Sequence, residues 1–260
     1  MDKNRKFEIM VISFFIWRKI LKFLLWTFSI FILLSVSLTI VYRFVNPLFT
    51  PLMHIRYAEF KTEIKYDWIE LKDIPQSMIY CTVISEDMNF QIHNGFDFKA
   101  IKKSINERKE NGYLRGASTI SQQTARNVFL WQDRTWFRKA LEAYFTVLIE
   151  IFWGKERILE VYLNVIETGN GIYGIKAAAK HYFNKPVEQL TIDESALIVS
   201  CLPIPLKCNP AKPSESVKEH ANVLIKYYNE EQLDIRFDKE SVKKARKKAD
   251  RLGVNSRFYF

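Results

Sequence analysis

The sequence predicts a mainly α-helical chain, on three observations. Apolar residues recur at spacings of three and four in two long segments, capping-box pairs open two further ones, and few stretches alternate with a period of two. The 260 residues suffice for one substantial domain or two small ones. With 48% hydrophobic residues, 8 Gly, 8 Pro and 3 Cys, the composition excludes a disordered, collagen-like or disulfide-framework protein. Aromatic residues reach 15%, which favours large buried side chains or contact with a membrane interface. The net charge of +10 suits an anionic partner: nucleic acid, lipid head groups or a phosphorylated substrate.

The N-terminal region decides for the membrane. Residues 23–42, FLLWTFSIFILLSVSLTIVY, hold no charge. Twenty residues at about 1.5 Å each span the roughly 30 Å hydrocarbon core. A cleaved signal peptide fits less well, because its apolar stretch runs to about 7–15 residues and no convincing small-x-small cleavage site precedes Arg43. Trp26 and Tyr42 stand near the two ends, as interface anchors do. The flank 1–22 carries Lys3, Arg5, Lys6, Arg18, Lys19 and Lys22 against Asp2 and Glu8, which leaves +6 of the +10 beyond it. By the positive-inside rule that flank is cytoplasmic and the chain after Arg43 lies outside. This exported topology excludes nucleic acid as the partner.

Pro47 and Pro51 break the membrane helix, so 43–54 is expected to be a junction. One mainly helical domain is expected over 55–210 and a basic extension over 211–260. Residues 136–152 place Leu141, Phe145, Leu148 and Phe152 on one helical face, and 155–166 repeat the pattern with Ile158, Leu159, Tyr162, Leu163 and Ile166. A glycine-rich turn, ETGNGIYG, then precedes the small-residue helix IKAAAKHYF. Thr191 and Glu194 form a capping box before the apolar helix ESALIVSCL, which Pro203 and Pro205 end. YCTVI, before Glu86, reads equally as strand or helix. The basic run SVKKARKKADR at 241–251 reads as a solvated helix face or as a patch for anionic lipid heads. Cys81 and Cys201 lie in apolar runs and read as buried small hydrophobes, and with Cys208 they make an odd number without framework spacing. His54, His93, His181 and His220 are scattered, and no Cys/His cluster has metal-ligand spacing.

Three polar constellations remain. SEDMNFQIHNGFD, residues 85–97, sets Glu86 and Asp87 directly after an apolar run; a carboxylate against apolar walls suits a general base, against the plainer reading of helix caps or exposed charges. RGASTISQQTARN, 115–127, pairs Thr119 with Gln122 at capping-box spacing and sets Ser118, Gln122 and Arg126 at intervals of four. Such donors at a helix N-terminus suit an anionic or sugar ligand, against the plainer reading of a polar surface helix. RKALE sets Arg138 four residues before Glu142, either a surface salt bridge or a phosphate-binding cation with its charge partner.

These three motifs, followed by KERILEVYLNVIETGNGIYG and ALIVSCLPIPLKCNP, resemble the five successive motifs of the peptidoglycan glycosyltransferases. That family includes the glycosyltransferase module of class A penicillin-binding proteins and the monofunctional biosynthetic transglycosylases. The resemblance runs from about Ile74 to Pro210, and the fifty residues that follow are too few for a transpeptidase domain. It implies a lysozyme-like glycosyltransferase domain against the outer leaflet, behind one N-terminal transmembrane helix in a bacterial inner membrane. It also implies the polymerisation of lipid II into β-1,4 glycan with loss of undecaprenyl pyrophosphate, and sensitivity to moenomycin. Glu86 then matches the base that takes the acceptor proton, and Glu142 the second essential glutamate. Ser118, Gln122, Gln123, Arg126, Asn127 and Arg138 match positions that bind donor phosphate and sugar. Tyr162, Asn164 and Gly169 fall in the fourth motif and are expected to shape the site. Ala117 stands where the family usually has a second Gly, and Arg126 where it usually has Lys; the two cations differ at a phosphate.

No tightly bound cofactor is expected, with a divalent cation (Mg or Mn) as an optional aid at the pyrophosphate. The expected partners are lipid II, the growing glycan strand and the membrane, with cell-division or elongation proteins as further candidates and no nucleic acid. Two rivals share parts of this pattern. A lytic or hydrolytic muramidase has the architecture and one catalytic glutamate without need of the phosphate-binding arginines. A non-catalytic lipid II-binding scaffold has no need of either glutamate.

Overall fold

A computed structural model of the chain describes residues 3–111, 118–231 and 235–251, and the chain divides into two units, Met1–Val45 and Asn46–Phe260. The first unit is one helix, α1 (Lys3–Phe44). Its segment Ser13–Phe44 contains an 18-residue window of mean hydropathy 2.3 and is long and apolar enough to cross a membrane. Hydroxyls within it bond back to the helix: Thr27 Oγ1 donates to the Phe23 carbonyl at 2.9 Å and Thr39 Oγ1 to that of Ser35 at 2.8 Å.

Among the described residues the regular structure of the second unit is helical apart from three very short strands. Pro51 opens α2 (Pro51–Phe60), where its missing N–H costs nothing, and Thr50 accepts from the Met53 N–H at 3.3 Å. Next come β1 (Lys65–Tyr66), α3 (Gln76–Asp87), α4 (Phe98–Asn111) and α5 (Ile120–Phe129). They are followed by α6 (Trp136–Phe152), α7 (Lys155–Val165), β2 (Glu167–Gly169) and β3 (Ile172–Tyr173). α8 (Ile175–Ala178) continues into a π turn over Ala179–Phe183, and α9 (Ile192–Cys201), α10 (Glu215–Glu231) and α11 (Lys239–Arg251) complete the unit. β3 lies between β1, its parallel neighbour with Lys65 opposite Ile172, and β2, its antiparallel one. The sheet was invisible as periodicity because two or three residues cannot display an alternation.

α3 is the central helix. Every residue from Ser77 to Ile84 is buried, with α5, α9 and α10 packed around it. A helix that is apolar all round has no stripe, which resolves YCTVI as helix and explains its ambiguity. The two amphipathic segments form α6 and α7, and Ile158, Leu159, Tyr162, Leu163 and Ile166 are all buried. Both capping boxes are present, Thr119–Gln122 on α5 and Thr191–Glu194 on α9.

The cysteines differ in part from expectation. Cys81 is a buried free thiol, pushed up to about 12 by burial. Cys201 is not a free hydrophobe but forms a disulfide with Cys208, their Cα atoms 5.3 Å apart. Successive turns over 199–207 fold the chain back after α9, a local geometry that spacing alone does not display.

Candidate active site

The site is assembled where the C-terminus of α3 meets the N-terminus of α5 and the first turns of α6. Glu86 occupies the last turn of α3 and is partly buried. Gln123, on α5, donates from Nε2 to Glu86 Oε2 at 2.8 Å, while its Oε1 accepts from the Tyr162 hydroxyl of α7 at 3.4 Å. One amide thus ties the carboxylate to two helices and fixes its rotamer.

The neighbouring Asp87 is 1% exposed and has a different task. It accepts the Ile120 N–H, first of α5, at 2.9 Å, and lies 2.9 Å from His93 Nε2. A carboxylate at a helix N-terminus satisfies an orphan donor and complements the dipole. Thr119 caps the same helix and donates its hydroxyl to the Gly95 carbonyl at 2.6 Å. Gly95 has φ +85°, and an added Cβ there would stand 2.8 Å from Thr146 Cγ2, so the turn requires glycine. Below it Ser121 donates to Glu150, which also pairs with Lys155 at 2.7 Å. Burial lowers the Lys155 ammonium from its usual value, against the opposing pull of Glu150.

On α6, Thr135 caps the helix and sets Arg138 and Glu142 one turn apart. The pair is no surface salt bridge: Arg138 is 8% and Glu142 1% exposed, with Nη1 2.5 Å from Oε2. Lys139 closes on the other oxygen, Oε1, and reaches Ser118 Oγ at 3.3 Å. The Arg138 Nε–H donates to the Asp133 carbonyl, which orients the guanidinium.

Of the residues expected from the sequence, the structure joins Glu86 to Gln123, Glu142 to Arg138, and Ser118 to the Glu142 cluster through Lys139. Gln122 is committed to the cap, its Oε1 accepting from the Thr119 N–H at 3.0 Å. Arg126 Nε and Asn127 Nδ2 are buried donors without a protein partner among the described residues. Gly116 and Ala117 lie outside the described residues. In the fourth motif Asn164 locks α7 to the chain at Ile69, exchanging two bonds of 2.8 Å, and the Gly169 backbone leaves no room for a Cβ beside the Tyr182 hydroxyl.

The sequence reading missed Lys139, the Asp87–His93 pair and the Ser121–Glu150–Lys155 cluster. Lys139 had a signal, three residues before Glu142 on the same helix. The Asp87 bond to the Ile120 N–H had none, because that donor is 33 residues away.

In a mainly helical domain, a carboxylate tethered at a helix end suits a general base, and a buried acid between two cations suits a site for an anionic group. The sequence profile of the family described as Transglycosylase matches residues 54–229. A biosynthetic peptidoglycan transglycosylase of Mannheimia succiniciproducens is 44% identical over 207 residues, 77% of this chain and 85% of that protein. One of Bacteroides thetaiotaomicron is 43% identical over 217 residues, 82% and 88% of the two chains. One of Caulobacter vibrioides is 43% identical over 212 residues, 82% and 92%. The chain belongs to the transglycosylase family.

Proposed function

We propose that this transglycosylase polymerises lipid II into β-1,4-linked glycan strands for the cell wall, with Glu86 as the general base. The acceptor's 4-hydroxyl attacks C1 of the donor sugar, the new O4–C1 bond forms as the C1–pyrophosphate bond breaks, and the hydroxyl proton passes to the Glu86 carboxylate. A single displacement inverts an α-linked donor to a β product, so no covalent glycosyl-enzyme arises. Negative charge grows on the leaving pyrophosphate oxygens, and cationic donors on α5 and α6 meet it. Arg126, Arg138 and Lys139 supply that charge, with Ser118 and Asn127 as neutral donors. Buried donors such as Arg126 Nε and Asn127 Nδ2 each cost about 1–3 kcal/mol unpartnered, a cost that an oxygen-rich ligand recovers. Gln122 and Gln123 hold the frame.

The observation that carries the reading is the Glu86–Gln123 bond between α3 and α5, with Ser118, just before α5, bonded to Lys139 of the Arg138–Glu142–Lys139 cluster. Among the described residues no three His, Cys, Asp or Glu side chains group as a metal-ligand set, and both oxygens of Glu142 are engaged by cations. No step proposed here runs through a divalent cation.

We place the N-terminal flank in the cytoplasm and residues 46–260 on the outer face of a bacterial cytoplasmic membrane. The basic flank before the uncharged stretch 23–42 supports this, as does the Cys201–Cys208 disulfide, a bond that persists in oxidising compartments.

The test is incubation of the purified full-length protein in detergent with lipid II or with finished glycan, each with and without moenomycin. Chain growth from lipid II that moenomycin blocks is expected. Solubilisation of finished glycan would instead make it a muramidase, and binding of lipid II without turnover a scaffold.

A further inference from the structure

The family match ends at residue 229, yet the chain beyond it returns to the helix that carries Glu86. Ile235 is 6% exposed, and the Arg236 carbonyl accepts from Gln91 Nε2 at 2.6 Å. The Phe237 ring meets Phe90 edge to face, with centroids 5.8 Å apart at 88°. Upstream, Tyr228 of α10 makes the same kind of contact with Tyr80 of α3, at 5.2 Å. Phe90 and Gln91 belong to the turn that follows α3, the point from which Glu86 is aimed.

Phe90 is 0% exposed, its N–H donates to the Asp87 carbonyl at 2.9 Å, and Lys155 Nζ lies 4.5 Å from its ring centroid. Its ring also faces His93, at 6.3 Å. His93 holds Asp87, Asp87 holds the first N–H of α5, and Gln123 of α5 holds Glu86. A shift of the 88–93 turn therefore reaches the base from both sides, through its own helix and through Gln123.

We propose that residues 235–238 are a strap that positions Glu86 by bracing the turn after α3. This deepens the reading above and rests on Glu86 being the base. The strap lines an open pocket of about 550 Å³ together with Gln76 and Ile79 of α3 and Glu160 of α7. Its contacts through Arg236 and Phe237 end on the turn after α3, so loosening it is expected to change the aim of the base.

The test uses the full-length protein on lipid II in detergent, with rates expressed per moenomycin-titrated site so that loss of folded enzyme is removed. Phe237→Ala is expected to lower kcat about tenfold with KM for lipid II within twofold, as misplacement of a reacting group does. Phe237→Leu recovers most of the rate, because it restores the apolar contact. Gln91→Ala, which leaves the aromatic contact in place, lowers kcat less, and the double variant Q91A/F237A falls no further than F237A alone. A per-site kcat within twofold of wild type in both single variants overturns the strap, as does a rise in KM at constant kcat. Glu86→Gln run alongside separates the two readings: its full activity overturns the base assignment itself, whereas its loss with unchanged strap variants overturns only the strap.

Discussion

At Glu142 a carboxylate 1% exposed faces a guanidinium on one oxygen and an ammonium on the other. Its charge offsets two cations that would otherwise repel each other beside a buried helix face. Removing one partner of a buried ionic group costs about 3–5 kcal/mol, because the remaining charge is left uncompensated. Glu142→Gln is therefore expected to lower unfolding free energy by roughly 3 kcal/mol in urea titrations with an unchanged slope. Stability equal to wild type would mean that the triad is solvated. Gly95 is the second residue whose identity is dictated, since its φ of +85° and the 2.8 Å approach of Thr146 exclude a side chain. Gly95→Ala is expected to cost about 1–3 kcal/mol and to loosen the turn that receives the Thr119 hydroxyl, measured by the same titration.

At the scale of elements, the N-termini of α5 and α9 use the same capping box for different ends. On α5 it sets the helix whose third turn carries Arg126 and Asn127; on α9 it closes a structural helix against α3. Burial pushes the Glu194 carboxyl up, but hydrogen bonds from Lys185 and from the Thr191 N–H outweigh it and hold the group below its ordinary value. A carboxylate depressed in the folded state adds stability above its unfolded pKa and loses it as pH falls through the folded one. The stability gap between wild type and Glu194→Gln is thus present at pH 7, at under about 1 kcal/mol, and closes below the ordinary carboxylate range. A gap that persists or widens in acid would contradict the ion-paired cap.

For the whole molecule, the helical class, the apolar N-terminal helix, α6, α7 and both capping boxes were legible, because each leaves a periodicity or a fixed local spacing. The all-round burial of α3 erased its period, and the three-stranded sheet is too short to have one. The candidate site was legible where partners share a helix, as Arg138 and Glu142 do. It was illegible where they meet across 33 or 37 residues, as Asp87 does with Ile120 and Glu86 with Gln123. The return of residues 235–238 to Phe90 and Gln91, and the Cys201–Cys208 bond, depend likewise on how the chain turns back.

The most direct measurement is the turnover of Glu86→Gln on lipid II, with lipid II binding measured on the same preparation. The substitution keeps the size of the side chain and its contact with Gln123 while removing the basic oxygen. Loss of a positioned general base predicts a kcat lower by about 10²–10⁴-fold with binding nearly unaltered. Turnover equal to wild type would show that some other group takes the acceptor proton.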